Sequence, residues 1–407
     1  MKHIVIVGGG FAGLWGAMAA VRQLDDAGRV ADVKLSLVSR DRYLTIRPRL
    51  HEAHPGEHMR VPLGGVLRPI GVDFVHATAT GIDVDRRVVV VAGPGGGTRS
   101  LPYDRLLLTA GSQLHRPDVP GLAEHGWSAD TFEDAMALEA HLQGLGAAPE
   151  GPGRLTAVVV GGGFTGIEVA AEMVTRLREL AGDGAGAARV RVVLVERAGV
   201  VGPDLGDRPR PVIEEALAAL GVELRLGATV QSIDRGGMWL GSGERVEART
   251  VIWAAGLRAS PVAALASLPM DPLGRLCVDT GLRAEGATDV FAAGDVARAM
   301  ADPEHATLMS CQHAMTTGAF AGINVARDLL DLAPTPYAPL PYQTCLDLGA
   351  WGALYTRGWD RAPVKVGSEG KAMKRQINTV WIYPPATGDR RDILAAAIPG
   401  QHRKAST

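Results

Sequence analysis

The chain opens on an unbroken apolar run, Ile4-Val5-Ile6-Val7, with no alternating polar positions. A run of that kind predicts a strand covered on both faces, as in a parallel sheet. A glycine loop follows. Apolar and small residues at helical spacing then predict a helix over Phe11–Leu24. Val33–Val38 and Leu106–Thr109 repeat the buried-strand pattern, and Gly93–Thr98 (GPGGGT) marks a hairpin tip. The same grammar restarts at Thr156–Val160, with the loop Gly161–Gly166 and a helix over Ile167–Leu180. Asp183–Ala188 is a loose connector, and strands at Val190–Val195, Val222–Leu226 and Val251–Ala254 follow. A short strand over Asp289–Ala293 runs into Gly294-Asp295, a helix spans about Ser310–Leu330, and Pro334–Pro341 is a linker.

Strand–helix units in two copies predict an α/β protein. Its fold class is two nested Rossmann-like dinucleotide-binding domains plus a small C-terminal region. The expected boundaries are 1–118 with 275–333 for the first, discontinuous domain, 119–274 for the second and 334–407 for the remainder. A length of 407 residues suits that division, and 46% hydrophobic with 21% charged residues is the balance of a water-soluble globular chain. The formal charge of −2 gives no electrostatic footprint for nucleic acid. The three cysteines, Cys277, Cys311 and Cys345, form neither a disulfide framework nor a zinc pattern, so no metal is expected and a reducing compartment is. The opening apolar stretch is too short for a secretory signal, and no run reaches the roughly 18 residues of a membrane span. A cytoplasmic location follows as an expectation.

The glycine loops carry the chemistry. Gly8-Gly9-Gly10-Phe11-Ala12-Gly13 fits G-x-G-x-x-G between a strand and a helix. Gly8 serves the tight turn, Gly10 the approach of a diphosphate, and Gly13 close helix–strand packing. The helix N-terminus faces the anion with roughly half a positive charge. Where an acid usually meets the ribose, this copy has Ser39 followed by Arg40. The second copy, Gly161-Gly162-Gly163-Phe164-Thr165-Gly166, ends its next strand on Glu196. A carboxylate there accepts from a ribose diol and repels a 2′-phosphate, so NADH is expected over NADPH; the adjacent Arg197 pulls the other way. Two fingerprints imply two dinucleotides, and one flavin with one nicotinamide makes a hydride acceptor and donor. Asp295, after its strand, suits the ribityl chain of FAD.

These motifs together, with Thr109-Ala110-Gly111, Trp253-Ala254-Ala255-Gly256 and Phe291-Ala292-Ala293-Gly294-Asp295, resemble the two-dinucleotide-binding-domain flavoproteins. Within them the chain is similar to the type II NADH dehydrogenases, FAD-dependent NADH:quinone oxidoreductases. The resemblance covers about residues 1 to 330. It implies that Ala110, Gly111, Gly256 and Pro48 border the cofactors and that Glu168 lies near nicotinamide and flavin. The family's quinone-side motif, Ala-Gln-x-Ala-x-Gln-x-Gly, appears as Cys311-Gln312-His313-Ala314-Met315-Thr316-Thr317-Gly318. Gln312 would bond a quinone carbonyl and His313 would donate a proton, but Thr316 replaces the second glutamine. Arg47 and Arg49 stand where the family is mostly apolar, facing either an anion or exposed salt-bridge partners. Glu172 reads as structural, and Cys311 as a small buried residue.

A quinone is therefore the expected acceptor. Two alternatives stay open: a soluble NAD(P)H-dependent reductase for a small redox protein or a biosynthetic intermediate, and an FAD-binding redox sensor without turnover. The cysteine pair of the disulfide reductases is absent, and the cysteines do not follow the placement in sulfide:quinone reductases. The family's membrane-binding tail has one candidate here, Lys371–Tyr383. A helix there puts Met373, Ile377, Val380 and Trp381 on one face with Lys371, Lys374 and Arg375 flanking. It would lie on the inner face of the cell membrane or close over the flavin. Thr379–Tyr383 also has the composition of a strand. Residues from Gln401 on are polar and expected to be disordered. A symmetric homodimer is the base-rate expectation.

Overall fold

A computed structural model of the chain describes residues 1–182 and 189–400. The Asp183–Ala188 connector and the tail from Gln401 lie outside the described residues. The first four parallel strands are β1 (Lys2–Val7), β2 (Val33–Ser39), β3 (Asp73–His76) and β4 (Arg105–Leu108), side by side in the order β4-β1-β2-β3. Helix α1 (Phe11–Asp26) makes the crossover from β1 to β2. The second unit repeats this plan. Its strands are β5 (Gly126–Trp127), β6 (Thr156–Val160), β7 (Arg191–Glu196), β8 (Val222–Leu226) and β9 (Thr250–Trp253), in the order β5-β9-β6-β7-β8. Helices α2 (Phe132–Ala147), α3 (Phe164–Ala181) and α4 (Arg210–Leu220) belong to it. Strand β10 (Val290–Ala292) then returns to pair with β4 in parallel and completes the first five-stranded sheet. The α/β class expected from the repeated grammar is what the chain adopts.

In each sheet the glycine loop leaves the central strand. The two loops also pack alike. A Cβ on Gly13 would collide with the carbonyl oxygen of Gly8, and one on Gly166 with that of Gly161. Gly8 (φ +122°) and Gly161 (φ +108°) turn the chain through conformations that L side chains rarely adopt. Helix α3 begins at Phe164, one turn before the expected Ile167, directly off the loop.

Helix α5 (Cys311–Leu329) starts at Ser310, whose Oγ accepts from the His313 N–H at 3.4 Å. It lies against α1 backbone to backbone. A Cβ on Gly318 would strike the carbonyl of Ala12, and one on Gly322 the carbonyl of Gly16. These glycines set the closeness of the two helices and so place the start of α5 beside the first glycine loop.

After the extended Pro334–Pro341 stretch comes a three-stranded antiparallel sheet, β11 (Gln343–Asp347), β12 (Ala353–Arg357) and β13 (Ala362–Val366). Helix α6 (Gly367–Gln376) follows and passes into a π-helical turn over Ile377–Trp381. Thr379–Tyr383 is thus not a strand. Leu346, Leu348 and Leu354 join the core of the second unit, while Ile382, Ile393 and Leu394 join that of the first. The tail is built into both. Its amphipathic face also differs from expectation, because Lys374 is buried while Val380 is 48% exposed.

Candidate functional site

One cleft of about 1000 Å³ dominates the described residues. The first loop, Gly8–Ala12, forms one end, continued by Ser39, Arg40, Ala110 and Gly111. Pro48, Asp295 and Gln312 line its middle, and Phe164, Thr165 and Glu168, from the start of α3, border it from the second unit. The sequence-derived residues of the first unit thus converge. The remaining second-copy residues, Gly161, Gly163, Gly166, Glu196 and Gly256, do not line this cleft, nor does His313 on α5. Gly13 packs on the Gly8 carbonyl, and Gly294 packs closely against the Ala12 side chain.

The first loop fits a diphosphate on local grounds. Gly10 is the N-cap of α1 and brings no side-chain hydrogen bond to the first turn. A Cβ at Gly10 would meet nothing within 4 Å, so the backbone is open toward the cleft. The first-turn N–H groups are then donors for an anion. Gly163 has the same two features in the second copy. Ser39 is buried, and its Oγ accepts from the Asp41 N–H at 3.3 Å; Arg40 is exposed and pairs with Asp41. Glu196 is buried beneath the second loop. Its Oε2 accepts from the Gly162 N–H at 2.7 Å and its Oε1 from the Ala198 N–H at 2.8 Å.

Mid-cleft, Asp295 accepts from the Ser112 hydroxyl at 2.6 Å. Burial pushes its carboxyl pKa up, against the lowering pull of Ser112 and Arg47. Arg47 pairs with Asp130 and donates to Ser112 Oγ at 2.7 Å, while Arg49 holds Glu52 and donates to the Tyr383 hydroxyl at 2.9 Å. The two arginines therefore serve as part-buried internal ion pairs. Gln312 lines the cleft and leaves its Nε2 buried without a hydrogen-bond partner among the described residues. Thr316, where the second glutamine was looked for, turns its hydroxyl back onto the Gln312 carbonyl at 3.0 Å. His313 is buried, bonds locally to Leu308 and Ser310, and stacks on Tyr342 at 5.5 Å.

Glu168, singled out by the sequence, sits in a charged centre whose other members, Lys374, His51 and Asp347, sequence reasoning did not assign to the site. Glu168 Oε1 accepts from Lys374 Nζ at 2.6 Å and from the Asp347 N–H at 2.9 Å, with both charged side chains 6% exposed. A lysine so deeply buried requires such a partner. Burial by itself would lower the Lys374 pKa; Glu168 outweighs it and the value rises. On the other side His51 Nδ1 stands 3.6 Å from Glu168 Oε2, and its Nε2 3.7 Å from Asp347 Oδ2. These are charge contacts, longer than hydrogen bonds. Asp347 also accepts from Lys371 at 2.5 Å. Burial would raise its pKa, but His51 and Lys371 hold it well below the usual carboxylate range. Glu172, one turn beyond Glu168, has its pKa raised by burial. Burial also pushes the two cleft thiols up, Cys311 to about 11 and Cys345 to about 12, so both are un-ionised at neutral pH. His51 follows Pro48 by three residues, and Lys371 and Lys374 share a helical face. The strand that brings Asp347 to them has no motif of its own.

The model of the pyridine nucleotide-disulphide oxidoreductase family matches residues 2–318, more than half of the chain. The chain belongs to that family. Within it the kinship is with the type II NADH dehydrogenases, as the motifs implied. An NADH dehydrogenase-like protein of Mycobacterium tuberculosis is 47% identical over 402 residues, covering 98% of each chain. The demethylphylloquinone reductase of Synechocystis is 30% identical over 388 residues, covering 94% of this chain and 91% of that one. NDH2 of Plasmodium falciparum, solved in complex with NADH, superposes with a TM-score of 0.80 at 14% identity, covering 98% and 99%, and shows the same fold. The chain is thus an oxidoreductase of this family. Among the described residues no helix is long and apolar enough to cross a membrane, and no cluster of side chains could hold a metal.

Proposed function

We propose that the chain is an FAD-dependent oxidoreductase that takes a hydride from NADH and delivers two electrons to a quinone. The observation that carries this reading is the shared cleft: the first glycine loop and the opening of α3, off the second loop, border the same space. In this reading residues 1–118 and 275–333 hold FAD, 119–274 hold NADH, and 334–407 close the flavin side. Bound FAD would supply the hydride-accepting and electron-releasing chemistry.

The protein's own residues bind and orient. The first turn of α1 binds the FAD diphosphate, Ser39 its ribose, Asp295 the ribityl chain, and Ala110 and Gly111 border it. Pro48 shapes the wall, and Gly294, against Ala12, fixes the depth at which Asp295 sits. The first turn of α3, with Gly163 and Thr165, takes the NADH diphosphate. Glu196 would exchange its loop N–H partners for the ribose diol, which favours NADH over NADPH. Glu168, held by Lys374, orients nicotinamide against flavin. Gln312 Nε2 donates to a quinone carbonyl. A donor left unpaired in a buried site costs roughly 1–3 kcal/mol, which a carbonyl acceptor relieves. One observation favours another small acceptor: Thr316 offers the cleft no polar group, so Gln312 grips the quinone alone.

The test is anaerobic mixing of the flavin-loaded chain with NADH, followed by a soluble quinone. Bleaching of the flavin and its recovery are expected. Bleaching without recovery rejects the quinone; no bleaching with NADH or NADPH rejects hydride transfer.

A further inference from the structure

Reducing a quinone to a quinol adds two electrons and two protons. NADH provides the electron pair and one hydrogen nucleus together, as hydride. The second proton comes from a Brønsted acid, and a side chain in the cleft wall can supply it beside the acceptor. Gln312 and the backbone cannot serve. Cys311 and Cys345 hold their protons too tightly. Lys374 is bonded to Glu168 and to the Cys345 carbonyl at 3.1 Å, and both acceptors stabilise its charge.

His51 is different. It lines the cleft, and its side chain is 4% exposed. Its Nε2 is buried and stands 3.7 Å from Asp347 Oδ2, a contact longer than a full hydrogen bond. Two carboxylates on two other elements, Glu168 from α3 and Asp347 from β11, stand within 4 Å of its two ring nitrogens. An imidazole between two carboxylates is favoured in its protonated form, and an N–H held only by a long charge contact can pass its proton on. The charged and titratable groups that face it are Glu168 and Glu172 on α3, Asp347 on β11 and Lys374 on α6. Burial lowers its pKa and Lys374 opposes protonation, but Glu168 and Asp347 outweigh them and the value is raised.

We propose that His51 is the acid that supplies the second proton to the acceptor. The N–H bond of the imidazolium breaks, the proton joins the acceptor oxygen, and neutral His51 then takes a proton from water. No further oxidant or reductant is involved. The proposal rests on the quinone reductase reading above.

The experiment compares the flavin-loaded parent chain with His51→Gln, which keeps a hydrogen-bonding side chain and cannot titrate. Flavin bleaching by NADH and its recovery with a soluble quinone are timed separately. The ratio of recovery rate to bleaching rate should fall on the order of a hundredfold in His51→Gln. The parent's recovery rate should fall with rising pH, and that fall should disappear in His51→Gln. A variant whose ratio and pH profile equal the parent's overturns the proposal. NMR of the isotope-labelled histidines in the oxidised parent provides the second readout and requires no variant to fold. Both ring nitrogens of His51 should be protonated at about pH 7, and a neutral ring there overturns the proposal. A parent that is not bleached by NADH, or not recovered by the quinone, sinks the underlying reading instead, whatever the variant does.

Discussion

Lys374→Met removes one partner of the Glu168–Lys374 pair and keeps most of the side-chain volume. Breaking a buried ion pair from one side costs about 3–5 kcal/mol, because a charge is left in a poor dielectric. Here Glu168 retains the Asp347 N–H at 2.9 Å and His51 at 3.6 Å, which places the expected loss toward the lower end, about 3 kcal/mol. For a cooperative unit of about 150–250 residues each kcal/mol moves the melting temperature by roughly 2–4 °C, so Tm should fall by about 6–12 °C. The assay is thermal unfolding of the FAD-saturated protein. Glu168→Gln/Lys374→Met, which removes both charges, should recover at least half of that loss. A single variant within about 2 °C of the parent, or a double variant no better than the single, would refute the view of this pair as a desolvated couple.

Three further outcomes are expected. Gly322→Val drives a side chain into the Gly16 carbonyl, pushes α5 off α1, and should cost at least about 1–3 kcal/mol in thermal unfolding while weakening FAD retention measured by ultrafiltration. Asp347 has a folded pKa below its ordinary value of 3.8, so its contribution is present above that pH and is lost as pH falls through the folded value. The stability advantage of the parent over Asp347→Asn, followed by denaturant unfolding, should therefore be full near neutrality and shrink once the pH drops below 3.8. Glu196→Ser removes the carboxylate that repels a 2′-phosphate; kcat/KM for NADPH relative to NADH should rise on the order of tenfold, and an unchanged ratio would detach Glu196 from the ribose.

Much of the fold was legible because parallel strands buried on both faces write continuous apolar runs. Thr156–Val160 was located to the residue, and Gly8–Gly13 with Gly161–Gly166 marked both central strands. The tail was harder to read. Lys374 sits in a polar helix, and nothing local distinguishes a lysine aimed at Glu168 from one aimed at water. Its burial is decided by β11, which delivers Asp347, and by α3, which delivers Glu168, both far away in sequence. His51 was hidden for the same reason: its chemistry depends on two carboxylates contributed by other parts of the chain. Thr379–Tyr383 has β-forming side chains, yet the α6 backbone carries on through it as a π-helical turn because Ile377 and Ile382 pack into the core.

The first sheet borrows its edge strand β10 and its close-packed helix α5 from beyond the whole second unit. On a ribosome, β1 to β4 emerge early but cannot complete their sheet until Ala292 has been made, nor gain α5 until Leu329 has. The second unit has all five strands between Gly126 and Trp253 and can close while the first still waits. Non-local pairing of this kind slows folding and prolongs the exposure of unpaired strand edges. The sheet begun second is therefore the first whose strands are all available to pair. The N-terminal glycine loop, first to be translated, takes the neighbours that make it a site, Asp295 and Gln312 among them, from a part of the chain made some three hundred residues later.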